Sequence, residues 1–136
     1  MLRTESFRIQ HKEIAELMIS IENNLPLLPQ EAESLRRKLS ELAGKLSVHL
    51  AMEDKSLYPA MVNSASEEAR TTATVFMHDM GDLAATFKAY TTRWPGADAI
   101  REDTGGFVNE TRKVFQALRN RVAREETVLY PLADGL

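Results

Sequence analysis

Apolar residues recur three or four positions apart along almost the whole chain, which is the spacing of an amphipathic helix. No segment alternates apolar and polar residues as a strand does, and Gly and Pro gather at a few joints. The pattern predicts four long helices, which cover residues 6–24, 30–58, 67–92 and 103–130. Residues 97–102 are predicted to form an irregular or partly helical connection. We expect Pro59 and Pro131 to end the second and fourth helices, because proline lacks the N–H that a helix interior needs.

Four amphipathic helices joined by short connections are typical of an all-α fold, the antiparallel up-down-up-down four-helix bundle. The 136 residues are enough for one domain with its own core. We therefore expect a single domain over residues 1–136.

Composition and charge narrow the range of partners. The chain is 43% apolar and 27% charged, and its net charge is −3 without a Lys/Arg cluster, which argues against nucleic acid. The absence of cysteine excludes disulfides and iron–sulfur clusters. The sequence has no apolar run long enough for a membrane span and no signal-type segment at its start. We expect a cytoplasmic protein without a membrane partner, and leave monomer or dimer open.

The ends of the second and fourth predicted helices repeat each other. Residues 46–59 and 118–131 align without a gap, and Leu, Glu, Leu, Tyr and Pro coincide. The alignment pairs Glu53 with Glu125, so both helices are predicted to present the same face at the same level. The alternative is that Leu-Tyr-Pro is a convenient helix terminator, which leaves the shared interior glutamate unexplained.

Polar residues occupy positions where a bundle core is expected. Glu53 and Glu125 lie at the centres of the apolar faces of their helices, His49 flanks the first of these faces, and His11 and His78 add imidazoles from the other two helices. A buried carboxylate is costly unless a positive group meets it. Metal sites in bundles are built from Glu and His on facing helices, and this donor set favours iron, manganese or zinc.

Each residue also has a purely structural alternative. His11 could be a satisfied core histidine, His49 and Glu53 a local hydrogen-bonded pair, and His78 part of a surface ion pair. The glutamates at 125–126 could pair with arginines of their own helix. The combination carries more weight than any member alone.

These motifs resemble the hemerythrin-like, or HHE cation-binding, family over essentially the whole chain. Four motifs carry the resemblance. Helix one has an early histidine, helix two has H-x3-E followed by Leu-Tyr-Pro, helix three has a lone histidine, and helix four has E-E-x-x-Leu-Tyr-Pro. The resemblance implies a non-haem di-iron centre that binds or senses oxygen, nitric oxide or iron. It implies six candidate metal ligands, which are His11, His49, Glu53, His78, Glu125 and Glu126. The first two would hold one iron, and His78 would belong to the other. Glu53 and one of the two fourth-helix glutamates would bridge the irons.

The sequence departs from this family at Arg121, where the fourth-helix histidine is expected. Arginine cannot lose its proton to bind a metal, and it brings a fixed positive charge beside two carboxylates. Helix three offers only Asp82 or Thr74 where oxygen-carrying members have a second histidine. The half of the site built from helices one and two is therefore intact, and the other half is depleted.

Three hypotheses follow. The first is a metal-binding protein with one iron or an asymmetric pair, which binds or senses a small diatomic ligand or iron. The second is a metal-free regulatory or interaction module in which Arg121 bridges Glu53 and Glu125. An inward Arg121 would favour the second hypothesis, and an outward one the first. The third, a redox enzyme, is favoured least because such chemistry needs a well-ligated metal pair, and reversible oxygen carriage is not expected.

Overall fold

The computed structural model describes residues 4–136, and all regular structure in that range is helical. In chain order the elements are α1 (Glu5–Asn24), a 3-10 turn (Leu25–Leu27), α2 (Ala32–Met52), the π-helical turn π1 (Glu53–Leu57), α3 (Tyr58–Val62), α4 (Glu67–Arg93), α5 (Ala97–Glu102), α6 (Thr104–Arg124), the π-helical turn π2 (Glu125–Leu129) and α7 (Tyr130–Asp134). The predicted all-α bundle is confirmed. The up-down course of its helices and the single domain stay predictions. Across residues 4–136, every helix is too short or too polar to cross a membrane.

Side-chain caps set the starts of two long helices. The Ser66 hydroxyl accepts a hydrogen bond from the Ala69 amide at 3.1 Å, and Asp103 Oδ1 accepts one from the Gly106 amide at 3.0 Å. A Cβ at Gly106 would collide with the Asp103 carboxylate, so the glycine allows this cap to close. The predicted starts of the third and fourth helices are confirmed, and the connection at 97–102 is the short helix α5.

The prediction that Pro59 and Pro131 end their helices is wrong. α3 and α7 continue directly from π1 and π2. In π1 the Tyr58 N–H donates to the carbonyl of Glu53, five residues back, and π2 repeats this bond between its own ends. The wider turn places each proline in the first turn of a new helical segment, where no backbone hydrogen bond is lost.

Two apolar cores lie along the bundle. The large core is formed mainly by α1, α2, α4 and α6, and its members include Ile14, Leu42, Leu46, Tyr90, Phe107, Phe115 and Leu118. The small core lies around π1, π2 and the start of α4, and contains among others Phe7, Leu57, Tyr58, Phe76, Leu129 and Tyr130. The chain passes from one core to the other at residues 7–14, 46–57 and 118–129. The buried histidines and the buried charged side chains lie in these three crossings, whereas the buried threonines Thr4 and Thr111 lie outside them.

A clasp between the two ends of the described chain closes the small core. The Thr4 backbone N–H and hydroxyl donate to the Asp134 carboxylate at 3.1 and 2.9 Å. Arg8 lies 3.7 Å from the same carboxylate and stacks over the Tyr130 ring. The clasp fixes the first turn of α1 against α7.

We expect Leu42→Ala to lower the free energy of unfolding by about 2–5 kcal/mol, because this side chain is fully buried in the large core. Urea unfolding followed by circular dichroism measures the change. The matched control is Ile19→Ala, on the exposed side of α1, which should cost less than about 0.5 kcal/mol. Equal losses in the two variants would contradict this assignment of the core.

Candidate metal centre

Four buried side chains from separate helical segments converge between the two cores. They are His11 from α1, His49 from α2, Glu53 from π1 and Glu125 from π2, and none is more than 3% exposed. The Nε2 atoms of the two histidines are 3.1 Å apart. Glu125 Oε1 lies 3.2 Å from Nε2 of His11 and 3.9 Å from Nε2 of His49. Glu53 Oε1 lies 3.2 Å from Nε2 of His49.

The separations among His11, His49 and Glu125 suit the first coordination shell of one ion. Histidine nitrogens and carboxylate oxygens bind such ions at about 2.0–2.2 Å, so two donors at a right angle lie about 3.0 Å apart. One donor atom from each of His11, His49 and Glu125 can be chosen so that all lie within 4.8 Å of one another. Two imidazoles and a carboxylate on one side of an ion form the donor set of many non-haem iron sites.

The outer nitrogens of both histidines are already engaged. His49 Nδ1 lies 2.7 Å from Gln10 Oε1, and His11 Nδ1 lies 3.2 Å from Glu126 Oε1. Amide and carboxylate oxygens only accept, so each Nδ1 carries a proton and donates it. Each Nε2 is left to bind a metal or an additional proton, and the outer partner fixes the ring orientation as in known metal sites.

The orientation of Glu53 depends on Tyr130. The tyrosine hydroxyl donates to Glu53 Oε2 at 2.8 Å and lies 3.2 Å from His11 Nε2. Within residues 4–136, the other oxygen of Glu53, Oε1, is buried without a hydrogen-bond partner. Burial raises the pKa of Tyr130, so its hydroxyl stays protonated and remains a donor. The free Oε1 faces the histidines and fits a cation at this position.

The two buried carboxylates have opposite pKa shifts. Burial alone would raise the pKa of Glu125, but the attraction of the nearby His11 and His49 rings outweighs it and holds that pKa well below its usual range. Burial raises the pKa of Glu53 to about 7, because the opposing attraction of His49 does not offset the loss of water. Burial also works against a charged His49, yet the two glutamates raise its pKa to about 9. Without a metal, protons at Glu53 and His49 balance part of the negative charge.

The other side of the carboxylate pair is occupied by Arg121, which points inward and is 5% exposed. Its Nη2 donates to the Phe76 carbonyl at 2.8 Å and to the Tyr58 hydroxyl at 3.0 Å, and its guanidinium lies 4.6 Å from the centre of the Phe76 ring. Its Nε lies 3.9 Å from Glu125 Oε1. We call His11 and His49 the histidine half, and Arg121 with its partners the arginine half, of the site.

The structure does not bring His78 to this cluster. The His78 side chain is 81% exposed and its Nε2 lies 3.9 Å from Asp82 Oδ2, itself on the surface. The buried face of α4 carries Ala69, Ala73, Phe76, Met80, Phe87 and Tyr90, and Thr74 is exposed. Val75, next to Thr74 in the chain, is also exposed.

The two candidate ligands of the fourth helix, Glu125 and Glu126, lie in different positions. Glu125 points into the cluster, whereas Glu126 lies outside it and holds the outer nitrogen of His11. Two further site residues, Gln10 and Tyr130, were not predicted. The repeated Leu-Tyr-Pro string is a signal for the tyrosine, but the same string also fits a simple helix terminator. Nothing in the pattern marks Gln10, a polar residue on a half-buried position of α1.

We expect the metal-free protein to lose stability as the pH rises from about 5 to about 9. A pKa that is raised in the folded state means that the folded protein holds its proton more tightly, so this stability is lost as the pH passes through that pKa. Glu53, with a pKa of about 7, and His49, with a pKa of about 9, both act in this direction. Urea unfolding in chelator should show a decrease of about 3–7 kcal/mol over this range, where the lower figure is the contribution of one of the two groups.

His49→Gln tests the origin of this decrease, since it removes the titrating group and should flatten the curve above pH 7. His78→Gln removes an exposed imidazole and should leave the curve unchanged. A wild-type stability that is constant or rises from pH 5 to 9 would contradict the assignment.

The comparisons with known proteins agree with this geometry. The family described as the hemerythrin HHE cation binding domain matches residues 3–133. No curated protein and no solved structure matches the chain. The match covers nearly the whole chain, including His11, both glutamates of the cluster and Arg121. The chain belongs to the hemerythrin HHE cation-binding domain family.

Proposed function

We propose that this protein binds a single non-haem iron ion through His11, His49, Glu53 and Glu125, and that this site binds or senses a small ligand. The facing Nε2 atoms of the two histidines, 3.1 Å apart, carry the proposal. Both outer nitrogens already donate to oxygen acceptors, so two inner lone pairs point at each other when both rings are neutral. A cation or a proton between them relieves this repulsion, and the nearby carboxylates favour a cation of higher charge.

Iron fits the donors, and the arginine half limits the number of ions to one. Imidazole and carboxylate without thiolate suit iron, and the family is described as cation-binding. A second ion would need ligands from α6 and α4, where Arg121 and Phe76 lie. A guanidinium cannot coordinate a metal, but it supplies a positive charge at that position.

The residues around the ion determine what it can do. Iron would supply open coordination positions at which a small molecule such as oxygen or nitric oxide can bind. Tyr130 holds Glu53, while Gln10 and Glu126 hold the two imidazoles. The apolar cores on both sides restrict the access of water, which strengthens electrostatic interactions within the site.

A metal-free regulatory module is the second candidate, and the inward position of Arg121 is the observation that favours it. That function needs Arg121 to bridge both carboxylates. Among the ion pairs of residues 4–136, Arg121 pairs only with Glu125, at 3.9 Å, and its shorter bonds go to Phe76 and Tyr58. Arg121 therefore does not balance the negative charge of Glu53, and this supports a metal beside the two histidines.

The remaining expectations from the sequence stay predictions. We propose a binding or sensing protein rather than a redox enzyme, because a single ion lacks the paired metals of di-iron chemistry. A cytoplasmic location and the absence of nucleic-acid or membrane partners are also predictions. The oligomeric state, monomer or dimer, is left open.

We expect about one iron per chain in protein expressed in iron-supplemented medium, measured by elemental analysis. His49→Ala and Glu53→Gln should lower the iron content at least about tenfold, since each removes a donor from a site of only four. His78→Ala is the matched control, because it removes an exposed histidine and should retain the wild-type content. Circular dichroism checks that each variant is folded. A folded wild-type protein without metal would contradict the proposal and favour the metal-free module.

We expect Arg121→His to bind more iron per chain than the wild type, because it replaces a fixed cation with a metal donor. Arg124→His, made on the exposed neighbour that also lies over the Phe76 ring, should leave the iron content unchanged. Two irons per chain in the wild type would show that Arg121 does not fill the second position.

A further inference from the structure

A groove of about 300 Å³ lies on the surface between α2 and α4. Each wall is a single helical stripe, which begins at Ala43 on α2 and at Ala84 on α4 and takes in the residues three, four and seven positions further on. Seven positions of a helix span about 10 Å. The groove therefore suits a small elongated molecule, and its volume lies at the lower end of the range of ligand pockets.

The floor of this groove is apolar. Leu46 and Phe87 line it, are only 5% and 6% exposed, and belong to the large core. Four of the eight lining residues are alanine, serine or threonine, whose side chains are too short to cover this floor. An apolar chain that displaces water from such a surface binds favourably.

Lys88 is the one charged side chain among the eight residues that line the groove, and it is exposed. In the part of the chain that the structure describes, its ammonium forms no ion pair, whereas Lys45 pairs with Glu13 at 2.9 Å. A single unpaired cation beside an apolar groove is complementary to a molecule that has an apolar chain and one negative end. The ammonium is a point charge without a second cation in the lining, which favours a carboxylate over a phosphate.

We propose that the groove between α2 and α4 binds a free carboxylate with an unbranched apolar chain, of the class of medium-chain fatty acids. The chain lies over Leu46 and Phe87, and the carboxylate pairs with Lys88. This site goes beyond the proposed function, because none of its lining residues belongs to the candidate metal centre. The chain supplies most of the affinity, about fourfold for each buried methylene, and the exposed ion pair adds about two- to fivefold.

Calorimetric titration with sodium butanoate, hexanoate and octanoate tests the inference, on the protein as purified and again in chelator. The affinity should rise about fourfold for each added methylene. Octanamide, the neutral counterpart of octanoate, should bind about two- to fivefold more weakly than octanoate. Chelator should leave the octanoate affinity unchanged, because the groove holds no ligand of the metal centre.

Two variants with matched controls locate the site. Ala84→Trp should abolish octanoate binding because the indole fills the groove, and Ala85→Trp, on an exposed position of α4, should retain it. Lys88→Met should lower the affinity for octanoate to that for octanamide. Lys113→Met removes the same charge from an exposed position of α6 and should have no effect. Circular dichroism checks that each variant is folded, and the lysine variant tests the site even if tryptophan does not fit.

Three results would overturn the inference. Equal octanoate binding by the wild type and folded Ala84→Trp would show that the groove is not the site. Equal affinity of the wild type for octanoate and octanamide would rule out a carboxylate as its ligand class. Loss of octanoate binding in chelator would place the carboxylate at the metal centre. Iron content does not enter any of these results, so the proposed function is tested separately.

Discussion

The structure depends on two carboxylates, Glu53 and Glu125, held between two apolar cores without access to bulk water. Such a pair is stable only if positive charge lies close by. The protein provides two sources of positive charge, which are imidazoles that accept a proton or a metal and a permanent guanidinium, and the neutral Tyr130 hydroxyl adds a hydrogen bond. Most buried polar residues of the centre can be understood as partners of these two carboxylates.

The two π-helical turns bring these groups together. A π-turn places residues five positions apart on the same face, so Glu53 stands over Tyr58 and Glu125 over Tyr130. Each tyrosine then contacts a residue of the other repeat. The Tyr130 hydroxyl donates to Glu53, and the Tyr58 hydroxyl accepts a hydrogen bond from Arg121. The repeated sequence therefore forms a repeated local structure. The tyrosine that follows π2 holds the glutamate of π1, and the tyrosine that follows π1 is held by the arginine that precedes π2.

The sequence predicts the long helices and the histidine half well, and the physical reasons are clear. Leucine stripes fix the phase of α2, so His49 and Glu53 fall on the buried face as expected. The phase of α4 was wrong because its buried positions include alanines, while Val75 and Met77 are exposed. His78 was therefore predicted to face the core. The π-turns could not be predicted, because proline is an ordinary stop signal and only the backbone register shows that the helix continues.

Arg121 makes the site asymmetric, because one side of the carboxylate pair holds a permanent cation and the other side holds two imidazoles. Arg121 keeps its charge whether or not iron is present, and it ties α6 to the Phe76 carbonyl of α4. A metal bound here would instead change the state of the inner nitrogens of His11 and His49, and of the Glu53 and Glu125 carboxylates that would share in holding it. Glu126 is the one glutamate hydrogen-bonded to the outer nitrogen of His11 among the described residues, and it is partly exposed. The contact between His11 and Glu126 therefore connects the centre to the surface of the protein.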